Sequence, residues 1–233
     1  MPNAFYIDSN NLNGNFFSLD EDESFHAFKV FRLNPGDSIF LLNGSGLAYE
    51  AVIEKYEDKI VFGRISRKVQ SFGENDFTIN IFPAILKRDR FEIILEKATE
   101  MGVTNIYPVL TERCAKRQIN IQRCKKIIIA SAKQCQRSFF PVIHKPKSLQ
   151  SYFENPIKQS FAGVITSSQS ISDFDLNKRF PVNIFIGPEG DFNFDEIQFL
   201  DSHGVQFFNL GKRKLRAETA IQACLGIFNE LLR

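Results

Sequence analysis

The chain is 233 residues long, 43% hydrophobic and 24% charged, with a formal net charge of +2. Those proportions are enough to bury a core in one large domain or two small ones. No run of about 18 uncharged apolar residues occurs, which argues against a membrane span; Met1-Pro2-Asn3-Ala4 opens no signal peptide, since a basic start followed by an apolar stretch is missing, so a cytoplasmic protein is expected.

The first seventy or so residues are rich in short β-like runs, at 37–42, 48–54 and 59–66, separated by turn residues such as Asn34-Pro35-Gly36-Asp37 and Asn43-Gly44-Ser45-Gly46. Short strands at such spacing predict a small β-barrel or sandwich. The polar break Ser71-Phe72-Gly73-Glu74-Asn75-Asp76 places a boundary between a domain of residues 1–72 and one of residues 73–233. From Phe77 the pattern changes to strands alternating with helices, the signature of an α/β parallel sheet with crossover connections. Residues 77–85 read as a strand. Residues 88–101 then set Phe91, Ile94, Leu95, Ala98 and Met101 on one helical face, with Gly102 as a stop. A second strand is expected at 105–110 and a helix at 121–137, burying Cys124, Ile127, Ile128 and Cys135. Further strands are expected at 161–166, 183–186 and 205–210. Asn193 with Glu196 three residues on forms a capping box for a helix through Phe194, Ile197 and Leu200. An amphipathic helix at 218–232 ends the chain. The 25 phenylalanines fall mostly at apolar-periodic positions, where packing is the default role, although a few could stack on bases.

Charge is unevenly distributed. Residues 1–60 carry four basic and ten acidic side chains, whereas residues 113–153 carry Arg113, Lys116, Arg117, Arg123, Lys125, Lys126, Lys133, Arg137, Lys145 and Lys147 and no carboxylate. Ordinary solvated surface intersperses both signs, so this segment reads as a polyanion-binding face; a basic helix exposed to water is the simpler alternative. Lys87, Arg88 and Arg90, and later Lys212, Arg213, Lys214 and Arg216, extend the basic character. Cys114, Cys124, Cys135 and Cys224 are scattered, with no CxxC pair, and His26, His144 and His203 share no motif. No zinc site or disulfide framework is indicated, and the cysteines are expected to be small buried hydrophobes.

No GxxxxGKS/T phosphate loop is present, and Gly44-Ser45-Gly46 lacks the setting of a dinucleotide fingerprint. The informative stretches are Ile186-Gly187-Pro188-Glu189-Gly190-Asp191-Phe192 and Leu210-Gly211-Lys212-Arg213-Lys214-Leu215-Arg216-Ala217-Glu218-Thr219-Ala220. Each lies where a strand-like run gives way to a helix-like run, the place where α/β sheets bind ligands. Two glycine-bearing turns there can build one pocket from backbone, with charged neighbours supplying chemistry, and the combination points to an enzyme.

These residues resemble the RsmE family of 16S ribosomal RNA uracil-N3 methyltransferases, within the trefoil-knotted SPOUT superfamily, over nearly the whole chain. His26 and Phe31-Arg32-Leu33-Asn34-Pro35-Gly36-Asp37 are similar to the family's PUA-like β-barrel segment. Lys87-Arg88-Asp89-Arg90 with the stretch from Glu96 to Val103 resembles its KxxRxE…QKATELGV element. Thr111-Glu112-Arg113-Cys114 and Gln134-Cys135-Gln136-Arg137 match its ERS and EQxxR segments, and the two late turns match GPEGGF and LGxRILRxETA. Asp191 stands at the second glycine of the first turn, Lys214 at an apolar position of the second, and Gln136 at a common glycine; the basic residues usual at the extreme N-terminus are missing.

The resemblance implies a SPOUT-type knotted parallel sheet with a PUA-like barrel before it, a homodimer, and S-adenosylmethionine held by Thr166, Gly187, Pro188, Glu189, Gly190, Leu210, Gly211, Leu215 and Thr219, with no metal. RNA contacts are expected from Arg32, Lys87, Arg88, Arg90, Arg113, Lys116, Arg117, Arg123, Arg137 and Arg213. Methylating uracil N3 requires loss of an imide proton. Arg216 is the candidate for stabilising the resulting anion, while Glu189 or Glu218 either accepts the proton or orients an arginine. Structural alternatives remain open: a carboxylate favoured by the helix dipole for Glu218, a turn-stabilising role for Glu189 and a phosphate contact for Arg216. Ribose 2′-hydroxyl methylation and non-catalytic RNA binding are the competing functions.

Overall fold

The computed structural model describes residues 2–114 and 116–233. The chain forms two compact units, one built on the residues up to Glu74 together with Ile129–Phe140, the other on Asn75–Ile128 with Pro141–Arg233.

In the first unit, β1 (Ala4–Tyr6), β2 (Leu12–Asn13), β3 (Phe16–Ser18), β4 (Ser38–Leu42), β5 (Leu47–Glu57) and β6 (Ile60–Gln70) make one sheet in the order β1-β4-β5-β6-β3-β2. β1 lies parallel to β4 and the other neighbours are antiparallel. The three expected strands are β4 to β6. β1 to β3 have two or three residues each, too few for an alternation to register. Asp58 and Lys59 join β5 to β6 with φ of +48° and +67°, the conformation a two-residue hairpin needs to match strand twist. Phe5, Phe17, Leu41, Ile53 and Val61 fill the core. The short α1 (Glu21–Phe25) is capped by Asp20, which accepts from Glu23 N at 2.8 Å.

In the second unit, β7 (Ile79–Pro83), β8 (Asn105–Ile106), β10 (Val142–Ile143), β12 (Ser160–Gly163), β13 (Val182–Ile186) and β14 (Gln206–Phe208) form a wholly parallel sheet, ordered β10-β8-β7-β13-β12-β14. β9 (Val109–Leu110) pairs with β11 (Lys147–Ser148) outside it. The single strand expected at 105–110 is therefore two. Pro108 has no N–H to extend the ladder; Tyr107 N still bonds Ile81 O in the main sheet, whereas Pro108 O accepts from Lys147 N. Every residue of β7 and β13 is buried, as central parallel strands require, and Phe82 stacks on Phe185 with centroids 4.3 Å apart. A polar ladder crosses the same sheet: Asn80 Nδ2 donates to Asn183 Oδ1 and Asn105 Nδ2 to Asn80 Oδ1, both at 2.9 Å, and His144 Nε2 lies 3.2 Å from Asn105 Oδ1.

The helices are α2 (Arg88–Glu100), α3 (Ile121–Cys135), α4 (Phe194–Ser202) and α5 (Ala217–Leu231). α2 buries Phe91, Ile94, Leu95 and Ala98 as expected, with Thr99, whereas Met101, expected on the same face, is its half-buried C-cap. On α3, Cys124 and Ile128 are buried but Ile127 and Cys135 only half-buried. All four cysteines are free thiols, Cys124 and Cys224 buried, Cys114 and Cys135 partly so. Burial pushes the Cys224 thiol up to about 12. The Asn193 and Glu196 capping box of α4 is present in both directions. Among the described residues, no helix is long and apolar enough to cross a membrane.

Candidate active site

The carboxyl ends of β12, β13 and β14 open into a cavity of about 210 Å³. Its wall comes from three successive strand ends, Gly163 to Ile165, Ile186 to Glu189 with Asp191, and Phe208 to Gly211, and from Arg213, Lys214, Leu215, Ala217 and Ala220. Three neighbouring parallel strands all leave the sheet on this side, so their connections converge there. The first turn folds tightly on its glycine. A Cβ on Gly187 would stand 3.0 Å from Phe192 N and 3.2 Å from Asp191 Oδ1, so any side chain there presses on the turn. Asp191 takes φ of +62° and accepts from Phe192 N at 2.8 Å, which fixes the backbone where the family pattern has glycine.

The segment 111–114 braces this turn. Arg113 Nη1 donates to Gly190 O at 2.6 Å; Glu112 N donates to Glu196 Oε1 at 2.9 Å, and the Glu112 carboxylate accepts from Asn193. Beside the cavity, Arg90 bridges two carboxylates. Its Nη1 donates to Glu189 Oε1 at 2.8 Å and its Nε lies 3.7 Å from Glu218 Oε1. Glu218 is 7% exposed, and its Oε2 is buried with no hydrogen-bond partner, although Arg90 shares its charge. Arg216 is the exposed N-cap of α5, between the lining residues Leu215 and Ala217.

Of the residues expected to hold the cofactor, Gly187, Pro188, Glu189, Leu210, Gly211 and Leu215 line the cavity; Thr166, Gly190 and Thr219 are exposed and stand outside its lining. Gly163, Val164, Ile165, Phe208 and Asn209 line it without having been singled out, and Asp191, noted only as a departure from the family pattern, lines it too. Their signal was the carboxyl end of each strand, which lies two or three residues earlier in β12 than the apolar run suggests.

The expected RNA contacts do not form one set. Arg88, Lys116 and Arg123 share a second cavity, between the first turns of α2 and α3. Arg213 lines the first cavity, Arg90 and Arg113 are engaged as described, and Lys87, Arg117 and Arg32 are exposed. Arg137 is 3% exposed, its Nη2 2.9 Å from Glu74 Oε2, so it is a buried structural pair and faces no RNA. The segment 113–153 lacks carboxylates of its own, yet the fold brings Glu23 to Lys133, Glu74 to Arg137 and Glu92 to Arg123. Arg123 and Arg88 hold the Glu92 carboxyl well below the usual range, at about 2.

A family profile described as an RNA methyltransferase domain matches residues 73–229, and one described as an RNA methyltransferase PUA domain matches residues 19–66. Ribosomal RNA small subunit methyltransferase E of Mesomycoplasma hyopneumoniae is 32% identical, covering 88% of this chain and 94% of its own length. This chain belongs to the ribosomal RNA small subunit methyltransferase E family. The Rickettsia conorii member is 29% identical over 94% of this chain and 91% of its own. The Neisseria gonorrhoeae member, crystallised with S-adenosyl methionine, superposes with a TM-score of 0.88 at 27% identity, covering 99% of this chain and 98% of that one. A methyltransferase from Legionella pneumophila in complex with the same molecule gives 0.88 at 28% identity, with coverage of 99% and 98%. The fold expected from the sequence, a parallel-sheet methyltransferase with a PUA-like domain before it, is the fold of this family.

Proposed function

We propose that this chain transfers a methyl group from S-adenosylmethionine to N3 of one uridine of 16S ribosomal RNA, in the cytoplasm and as a homodimer, with residues 1–72 as a PUA-like RNA-binding domain and residues 73–233 as the methyltransferase domain. The observation that carries this reading is the cavity at the carboxyl ends of β12 to β14, built from the two glycine turns in a chain of this family. The sheet order, with β13 seated between β7 and β12 and β14 outside β12, supports the trefoil knot.

The lining suits the cofactor. Apolar Ile165, Ile186, Phe208, Leu210 and Leu215 offer walls for an adenine ring, and the glycines 163, 187 and 211 leave backbone groups within reach of its polar edges. S-adenosylmethionine, when bound, supplies an electrophilic methyl group on its sulfonium. The protein must then deliver uracil N3 stripped of its proton. Glu189, on the cavity wall, accepts that proton; Arg90 pins its carboxylate and that of Glu218 in one orientation. Arg216 stabilises the negative charge that spreads onto the uracil oxygens. N3 lies on the Watson–Crick edge, so the target uridine must be unpaired or flipped, and exposed cations hold its flanks.

Calorimetry with S-adenosylmethionine, followed by nucleoside analysis of methylated small-subunit RNA, tests this. Binding and 3-methyluridine are expected. Absence of binding, or a 2′-O-methyl nucleoside in place of 3-methyluridine, overturns the reading.

A further inference from the structure

The second cavity, about 580 Å³, lies between the first turns of α2 and α3 and has no part in the methyl transfer derived above. Four cations line it, Arg88, Lys116, Arg123 and Lys126, against one carboxylate, Glu92. Glu92 sets the two guanidiniums: Arg88 Nε donates to its Oε1 at 2.9 Å and Arg123 Nη2 to its Oε2 at 2.8 Å. Beyond that fixed core the lysines leave an excess of positive charge. Gln118, Asn120 and Gln122 add amides that both donate and accept, and Leu86 and Ile119 add apolar surface. Asn120 Oδ1 caps α3 by accepting from Arg123 N at 3.0 Å, which orders the cavity's edge.

Fixed cations, amides and an apolar wall in a cavity of this size match a nucleotide: phosphate to the cations, base edge to the amides, base face to the wall. A bare phosphate would not use the amides or the apolar wall. We propose that this cavity is a subsite for an unpaired nucleotide of the RNA strand that flanks the target. The proposal rests on the RNA methyltransferase reading above and adds a place where the strand is held. Its position on α2 fits that role. Arg88 and Glu92, four residues apart, share the face toward this cavity, and Arg90, about 200° round the helix from Arg88, reaches Glu189 beside the first cavity. The two sites are thus separated by the first turns of one helix, about 10–12 Å across with its side chains, a span a single strand crosses in a few nucleotides.

The test uses the full chain and a 4-thiouridine-substituted fragment of small-subunit RNA containing the target. Photocrosslinks are expected within 86–92 and 116–126. The double variant Lys116→Glu and Lys126→Glu should lose at least tenfold in RNA affinity, and its log–log salt slope should fall by about 1.4, at about 0.7 per phosphate contact on a single strand. Its binding of S-adenosylmethionine should stay within twofold of the parent. A matched Lys158→Glu variant should change neither. RNA affinity within twofold of the parent with an unchanged slope, or crosslinks confined to other segments, overturns the subsite while leaving the methyltransferase reading intact. Uridine 5′-monophosphate binding as tightly as the RNA fragment would reassign the cavity to a free nucleotide and also overturn it. Loss of cofactor binding and methylation in the parent chain would instead sink the underlying reading.

Discussion

Two arginines show why a cation in a sequence is not yet a contact. Arg90 and Arg137 both belong to the basic set expected to touch RNA, but each meets carboxylates that are distant in sequence. Arg90 lies beside the cavity, so its removal should act on chemistry. Arg90→Ala is expected to lower single-turnover methylation by about tenfold to a hundredfold, with cofactor affinity within threefold, and Arg90→Lys to recover part of the rate. A rate that follows only the loss of folded protein would reduce Arg90 to a structural role. Arg137→Ala strands the Glu74 carboxylate, whose remaining donors include Phe139 N at 2.7 Å. Breaking a buried pair in this way should cost about 3 kcal/mol in urea denaturation while the folded fraction binds RNA as before.

Among the elements, three helices end alike. After α2, Val103 N bonds Ala98 O and Gly102 N bonds Thr99 O; after α4, Val205 N bonds Leu200 O and Gly204 N bonds Asp201 O; after α3, Arg137 N bonds Ala132 O and Gln136 N bonds Lys133 O. This paired pattern needs a left-handed residue next to the helix end, usually glycine. Gln136 fills that place at φ of +59°, where the family pattern has glycine, and its Oε1 is buried without a partner. Gln136→Gly should therefore stabilise the protein by about 1 kcal/mol, read as a raised Tm, despite the loss of its bond to Pro2 O. In the second unit's sheet, Asn80→Ala removes the middle of the ladder and leaves Asn183 and Asn105 each one partner short. A loss of about 2 kcal/mol is expected in denaturant titration, and an unchanged midpoint would show that water replaces the side chain.

For the whole molecule, acid sensitivity should come partly from the far end of that ladder. His144, stacked on Tyr107 with centroids 4.1 Å apart, is held below its ordinary value by burial first and by Lys147 second. The folded state thus prefers the neutral ring. Its contribution is complete above 6.5, the ordinary value, and is lost as the pH falls from there through the lower folded value, because the unfolded chain binds the proton first. Urea midpoints should fall between about pH 7.5 and 5.5, and His144→Gln should flatten the fall. An equal fall in the variant would place the proton elsewhere.

Much of this protein is legible along the chain. Helical faces, the capping box at Asn193 and the turns at Gly187 and Gly211 are local patterns, carried by side-chain period and by backbone conformation within a few residues. The order of six parallel strands, the split at Pro108, the partners of Arg90 and Arg137 and the cavity between α2 and α3 are not local. Each depends on residues tens of positions apart meeting in space: the sequence alone showed where charge is concentrated, and tertiary structure decided which of those charges are paired with carboxylates and which line a cavity.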